Sequence, residues 1–267
     1  MTKSINSMSY IDNLFSLKDQ VAIVVGGSGV LGGEMAFALS QAGAKTAVFY
    51  GGNKEGAEEQ AARIEKEGGE AMIAQADARS EDSLKKAIYN VKEKWGRIDV
   101  LVNAPGVNST TPIMEITEDE WNNILDINLK GVFLASRIVA DIMIEQGDGG
   151  SIINISSASS DIPLSKVFTY SISKAGMNNM TRFMAREWAP HNIRVNAIKP
   201  GFFPAEQNRK ILTKERTESI FNHTPMKRFG DADELSGAIV WLASHNASSF
   251  VTGSMVTVDG GFTATTI

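Results

Sequence analysis

Apolar positions along this chain follow two patterns. In the first they gather in short strand-length segments, Val21–Val25 as an unbroken run, and Thr46–Tyr50, Ala71–Ala74, Ile98–Val102, Ser151–Ile155, Ile193–Ala197 and Met255–Val258 as further strands. Runs without polar alternation suit strands covered on both faces, as in parallel sheets. In the second pattern they recur at helical spacing, over Glu34–Ala42, Glu55–Glu67, Asp82–Trp95, Trp121–Gln146, Thr169–Trp188 and Asp233–Ala243. Gly43 and Gly68-Gly69 punctuate two of these helix ends. Strands alternating with helices predict an α/β fold, a doubly wound parallel sheet of seven strands with helices on both faces. No linker, repeat or biased tract divides the chain, so residues 1–267 are expected to form one domain. Within it, residues 202–229 carry mixed polar and aromatic residues and no clear strand. Insertions of this kind cover binding sites, and this one is predicted to cover a substrate.

Composition narrows the functional classes. The chain has 26 basic and 31 acidic residues, a net charge of −5 and no basic stripe, which argues against a nucleic-acid surface. With no cysteine there is neither a disulfide nor a thiolate metal site, and His191, His223 and His245 lack ligand spacing. A metal is not expected. No apolar run reaches the roughly 18 residues of a membrane span, and Met1–Asp12 has no secretion-type apolar core. The expectation is a cytoplasmic protein acting on a small molecule.

The candidate chemistry begins at Tyr170-Ser171-Ile172-Ser173-Lys174. Residues four apart on a helix share a face, so phenol and ammonium are expected to point into one space. A nearby cation favours phenolate and lowers a tyrosine pKa from about 10. Such a pair suits acid–base exchange with an alcohol becoming a ketone. A second candidate follows the first strand. Gly27, Gly29 and Gly32 form G-x-G-x-x-G between a strand and a helix, where backbone amides and the helix dipole attract a phosphate. At the end of the second strand, Phe49-Tyr50-Gly51-Gly52-Asn53-Lys54 contains no carboxylate to repel a 2′-phosphate, and Lys54 would attract one. NADP or NAD is the expected cofactor, with the balance toward NADP.

These residues, with Asp77, Asn103-Ala104-Pro105-Gly106, Asn128, Ser156-Ser157, Pro200-Gly201, Val251-Thr252-Gly253 and Asp259-Gly260-Gly261, stand in an order and spacing that resembles the short-chain dehydrogenase/reductase family, from about Leu17 to Phe262. The resemblance implies a Rossmann-type fold and a nicotinamide-dependent oxidoreductase of secondary alcohols and ketones. It implies Tyr170 as proton donor or acceptor, Lys174 as the residue tuning it and holding the ribose, Ser157 as the hydroxyl on the substrate oxygen, and Asn128 as the positioner of a water. For the cofactor it implies Gly26, Ser28, Gly29, Val30, Leu31, Tyr50, Gly51, Lys54, Asp77, Ala78, Asn103, Ala104, Gly106, Tyr170, Lys174, Pro200, Gly201 and Phe203. Three departures stand out. Val25 and Val30 replace the usual Thr and Gly of the glycine turn. Pro105 removes a backbone donor. Ala205 occupies the usual Thr position after Pro200-Gly201.

The last seventy residues, with Gly201-Phe202-Phe203, Glu206 to Arg209, His223 to Met226 and Arg228 to Gly230, are similar to the sugar-acid oxidoreductases of mannonate and fructuronate type, as is Pro163 to Lys166. The implied substrate is a polyol, sugar or sugar acid held at Ser157, Tyr170, Gln207 and Asn208. The Phe49-Tyr50 region resembles ketoacyl-carrier-protein reductases instead, so a 3-ketoacyl-thioester reductase stays open. So does a non-catalytic dinucleotide-binding regulatory protein, although such a protein is expected to lose Tyr170 or Lys174. The family resemblance implies a homotetramer, with the Thr169–Trp188 helix and the last strand at its interfaces.

Overall fold

The computed structural model describes residues 9–204 and 212–265. In chain order the helices are α1 (Tyr10–Phe15), α2 (Val30–Gln41), α3 (Lys54–Lys66), α4 (Glu81–Trp95), α5 (Glu118–Leu125), α6 (Gly131–Gln146), α7 (Phe168–Trp188), α8 (Lys214–His223), α9 (Ser236–Ala243) and α10 (His245–Ser248). The strands are β1 (Val21–Val25), β2 (Lys45–Tyr50), β3 (Ala71–Gln75), β4 (Val100–Asn103), β5 (Gly150–Ile155), β6 (Ile193–Pro200) and β7 (Met255–Val258). All pair in parallel, in the order β3-β2-β1-β4-β5-β6-β7. The order reverses between β1 and β4, which opens a crevice at the strand C-termini.

The pleat sorts the buried side chains into two cores. Val21, Ile23, Val25, Leu101 and Ile152 face α4, α6 and α7, where Leu84, Ile88, Leu134, Ile138 and Met184 cover them. Ala22, Val24, Val100, Val102 and Ile153 face α2, α3 and α9, against Met35, Leu39, Ile64, Ile239 and Leu242. β1, β2, β4, β5 and β6 thus bury both faces for most of their length, whereas the edge strand β3 buries only Ala71.

Three differences from the sequence expectation have local causes. The segment predicted as one helix from Trp121 to Gln146 starts earlier, at Glu118, where the Thr117 hydroxyl accepts from the Glu120 amide. It is also interrupted by a π turn, Asp126–Lys130, before α6 begins. The late helix is a 3-10 turn, Ala232–Leu235, followed by α9. The additional helix α1 is started by a capping box, in which Ser9 and Asp12 bond each other's backbone amides. It docks through carbonyls, with Ser244 donating to Leu14 and Asn246 to Asn13.

The crossing of β1 and α2 is set by glycine. Gly26 takes φ +79°, and a Cβ there would stand 2.7 Å from the Ala104 carbonyl oxygen. A Cβ on Gly32 would overlap the Gly26 carbonyl. Gly237, by contrast, is helical with nothing within 4 Å of its would-be Cβ. Gly32→Ala is therefore expected to destabilise the fold by about 1–3 kcal/mol, roughly 2–10 °C in melting temperature for a chain of this size. Gly237→Ala should leave it unchanged or raise it. Thermal denaturation of the two variants beside the parent checks both.

Candidate active site

A cavity of about 510 Å³ opens at the C-terminal ends of β1, β4, β5 and β6. Three groups of residues line it. Gly26, Gly29, Leu31 and Gly32 form one wall; Ala104, Pro105 and Gly106 continue it from β4; Ser157, Tyr170, Lys174, Pro200, Gly201 and Phe203 close it from β5, α7 and β6.

The glycine wall is an anion cradle in its local structure. Gly29 is the N-cap of α2, and no side chain caps that end. The free first-turn amides face the cavity beside backbone that no Cβ obstructs. Val30 sits at the first helical position and points outward, 53% exposed, so the missing glycine there costs no packing.

Tyr170 and Lys174 share the cavity face of α7, as the four-residue spacing predicts. Lys174 is buried, and its Nζ donates to the Ile155 carbonyl at 2.7 Å, 5.5 Å from the Tyr170 ring centre. Burial pushes its ammonium down to about 7. The Tyr170 phenol is raised by burial, against a hydrogen bond with Ser157 that pulls it back down. The expected lowering of the phenol by the lysine is therefore corrected: Lys174 is itself driven toward neutrality and directed at Ile155. Ser157 lies at the end of β5, and its Oγ accepts from the Ser159 amide at 3.1 Å and the Ser159 hydroxyl at 3.0 Å. It is a turn cap and a cavity hydroxyl at once.

Asn128 lies in the π turn, fully buried. Its Oδ1 accepts from the Val107 amide at 2.9 Å, and its Nδ2 donates to the Val107 carbonyl at 2.9 Å and to Ser173 at 3.2 Å. Both amide hydrogens are thus committed to protein, and the side chain pins the loop after Gly106 to α7. π turns are frequent at functional sites.

Other expected contacts do not converge on the cavity. Asn103 shares the pleat face of Leu101, so its side chain enters the core under α6. There it donates to Ser136 and to Asn154, each at 2.9 Å, and Asn154 donates to Thr181 of α7. Only its backbone is left for a cofactor. Tyr50 is buried against α2 and α3 by the same alternation. Gly51 uses its carbonyl on Gln75, and Lys54 pairs with Glu58 at 2.8 Å. Asp77 pairs with Arg79, which holds its carboxyl below the usual range, and Ala78 packs on Gly131. Ser28 gives its carbonyl to Asn53. These residues ring the ends of β1, β2 and β3 outside the cavity lining. Gln207 and Asn208, with Ala205 and Arg209, lie outside the described residues.

The structure adds residues that the sequence did not single out. Asn108, Val167 and Arg216 line the cavity beyond Tyr170, beside Leu164 and Phe202 of the sugar-acid resemblance. Lys199 of β6 is buried and ion-paired with Asp161, four residues after Ser157. Polarity within an apolar strand was the signal for Lys199. Among the described residues, no three His, Asp or Glu gather as for a metal, and no helix is long and apolar enough to cross a membrane.

A family model described as enoyl-(acyl carrier protein) reductase matches residues 28–263. The chain is 35% identical over 255 residues to a 2-dehydro-3-deoxy-D-gluconate 5-dehydrogenase of Formosa agariphila, covering 95% of this chain and 96% of that protein. It is 35% identical over 246 residues to a 3-oxoacyl-(acyl-carrier-protein) reductase of Synechocystis, covering 92% and 98%. A solved gluconate 5-dehydrogenase of Burkholderia cenocepacia, in complex with NADP and tartrate, superposes with a TM-score of 0.90 at 33% identity, covering 96% of this chain and 100% of that one.

The buried lysine leaves a signature in stability. Its ordinary pKa is 10.5 and its folded one about 7. Between those values the unfolded chain binds the extra proton, so stability rises with pH. Lys174→Met removes that dependence. Urea unfolding without added nucleotide should show the parent gaining about 1 kcal/mol per pH unit on the variant across this window. A flat difference would refute the burial account.

Proposed function

The chain belongs to the short-chain dehydrogenase/reductase family, and from that membership we propose that it is an NAD(P)-dependent oxidoreductase of a sugar acid or related polyol. The observation that carries the proposal is the meeting of Tyr170, Ser157 and Lys174 in one cavity with an uncapped helix N-terminus. The glycine wall accepts the cofactor pyrophosphate, and Pro200, Gly201 and Phe203 flank the nicotinamide. When bound, the nicotinamide accepts or supplies hydride at the substrate carbon.

In the oxidising direction the Tyr170 oxygen takes the proton of the substrate hydroxyl as the carbon–hydrogen bond is lost. In the reducing direction it returns that proton to the carbonyl oxygen. The Ser157 hydroxyl donates to the same oxygen and stabilises the negative charge that develops there. Lys174, one turn on, holds the ribose, and the hydrogen bond from Ser157 favours the phenolate. Asn128 keeps the Val107 backbone against α7; a water relay at this point would run past its backbone rather than through its amide hydrogens.

Gluconate-type relatives favour an aldonate or deoxy-ketoaldonate substrate over the narrower mannonate or fructuronate type. No carboxylate ends β2, and Lys54 lies just beyond it, which supports NADP. A 3-ketoacyl-thioester reductase is the second reading, favoured by the Synechocystis relative. A regulatory protein is disfavoured, since Tyr170, Lys174 and Ser157 are all present and assembled.

Initial rates followed by cofactor absorbance, with sugar acids, polyols and acyl thioesters, test this. The expected outcome is turnover of a sugar acid with a lower KM for NADP than for NAD. Tyr170→Phe should lose on the order of 1,000-fold or more in kcat while binding cofactor within a few fold. Turnover of thioesters alone, or an active Tyr170→Phe enzyme, contradicts the proposal.

A homotetramer in the cytoplasm completes it, the location to be checked by cell fractionation. Phe168, Ile172 and Phe183 leave an exposed apolar stripe along α7, and Phe250 stands fully exposed beside the edge strand β7. Apolar surface next to an open strand edge suits a subunit contact. Light scattering is expected to give four times the 28.8 kDa chain mass, and Phe183→Glu to reduce it. A monomeric parent protein would overturn this assembly.

A further inference from the structure

We propose that Arg216 is the residue that recognises the substrate's carboxylate, at the end of the cavity remote from the glycine wall. The inference rests on the sugar-acid reading above and says how that class is selected.

Arg216 lies in the first turn of α8, whose N-cap Thr213 accepts from the Arg216 amide at 3.2 Å. Its side chain lines the catalytic cavity, in company with Leu164 and Phe202. The same three residues line a smaller adjoining pocket with Ser165 and His223. Its Nη1 donates to the Ser165 hydroxyl at 3.0 Å, which fixes the guanidinium beside the turn between Ser157 and Tyr170. No carboxylate lies within ion-pairing distance of it among the described residues. The other arginines at functional edges of the fold are already committed: Arg79 to Asp77, Arg97 to Asp99, and Arg228 to Glu234.

The remaining cation of the cavity is Lys174, which is used on Ile155 next to the reacting phenol. The acidic side chains nearest the cavity walls are engaged too, Asp161 with Lys199 and Asp259 with the Gly261 and Thr263 amides. Among the described residues, the far end therefore carries one positive group without a carboxylate partner, over apolar walls. A guanidinium fork matches a carboxylate in two parallel hydrogen bonds, and low-polarity neighbours strengthen that attraction. A phosphate of the cofactor is a poorer match, because the cofactor's anion cradle is built at β1 and α2. A chain of hydroxylated carbons ending in a carboxylate would present its charge to Arg216 and an inner carbinol to Tyr170 and Ser157.

Calorimetric titration tests this without relying on turnover. The enzyme is saturated with NADPH and titrated with D-gluconate and with D-sorbitol, its neutral counterpart. The parent should bind gluconate at least tenfold more tightly. Arg216→Gln should erase that preference, a loss of about tenfold or more in gluconate affinity, with sorbitol affinity unchanged. Arg216→Lys should restore part of it. A purely structural arginine would weaken both ligands alike; that result, or equal or absent binding by the parent, overturns the assignment. If the charge preference depends on Arg216 but no sugar acid is oxidised, the carboxylate site stands and the proposed reaction falls. If sugar acids are oxidised with unaltered KM by Arg216→Gln, the reaction stands and the anchor falls.

Discussion

Placing an ammonium in a protein interior is costly unless its hydrogens find acceptors, and Lys174 is held there by the carbonyl of Ile155. That bond fixes more than a lysine. It ties α7 to the last residue of β5, and the Ser156 hydroxyl repeats the tie by donating back to the Lys174 carbonyl. With this end of α7 anchored, Tyr170 one turn earlier has to face the turn that leaves β5. Ser157, on that turn, lines the cavity with it. The reacting constellation follows from a single strand–helix junction, and the desolvation of its lysine is the cost of that arrangement.

The fold was legible because its determinants are local and repeated. The inner strands bury both sides, the first of them as the unbroken apolar run Val21–Val25, and glycines marked helix ends. The catalytic group was legible for the same reason: Tyr170 and Lys174 are related by helical geometry alone. What could not be read directly was any property fixed by contacts between distant segments. The direction of the Tyr170 shift depends on burial, which sequence spacing does not report. Arg216 meets Ser165 only because α8 folds back over the turn after β5. The substrate residues expected at Gln207 and Asn208 lie outside the described residues; from the same covering segment, Phe202, Phe203 and Arg216 line the cavity.

Asn103 shows a case in which the information was present and unused. Strand alternation puts it on the side of Leu101, which is the side of α6 and α7, and away from the crevice. Its bonds to Ser136 and Asn154, and the bond from Asn154 to Thr181, form a polar line through an otherwise apolar core. A buried line of this kind accepts few alternative registers, because any slip leaves amide groups unpaired. It therefore acts to align β4, β5 and α7, while the cofactor side of β4 is formed by backbone at Ala104, Pro105 and Gly106.

The π turn at Asp126–Lys130 carries a consequence for how this site tolerates change in length. One surplus residue in a helix turns everything downstream by about 100° about the axis. Here that rotation brings Leu134, Ile138 and Ile142 inward on α6 while Asn128 still reaches Val107. Excising a residue to restore regular winding would swing one of these two surfaces off its partner, sacrificing either the core or the loop beside Gly106. The irregularity is thus a phase adjuster between a greasy helix and a polar latch, and length in this stretch is constrained more tightly than residue identity.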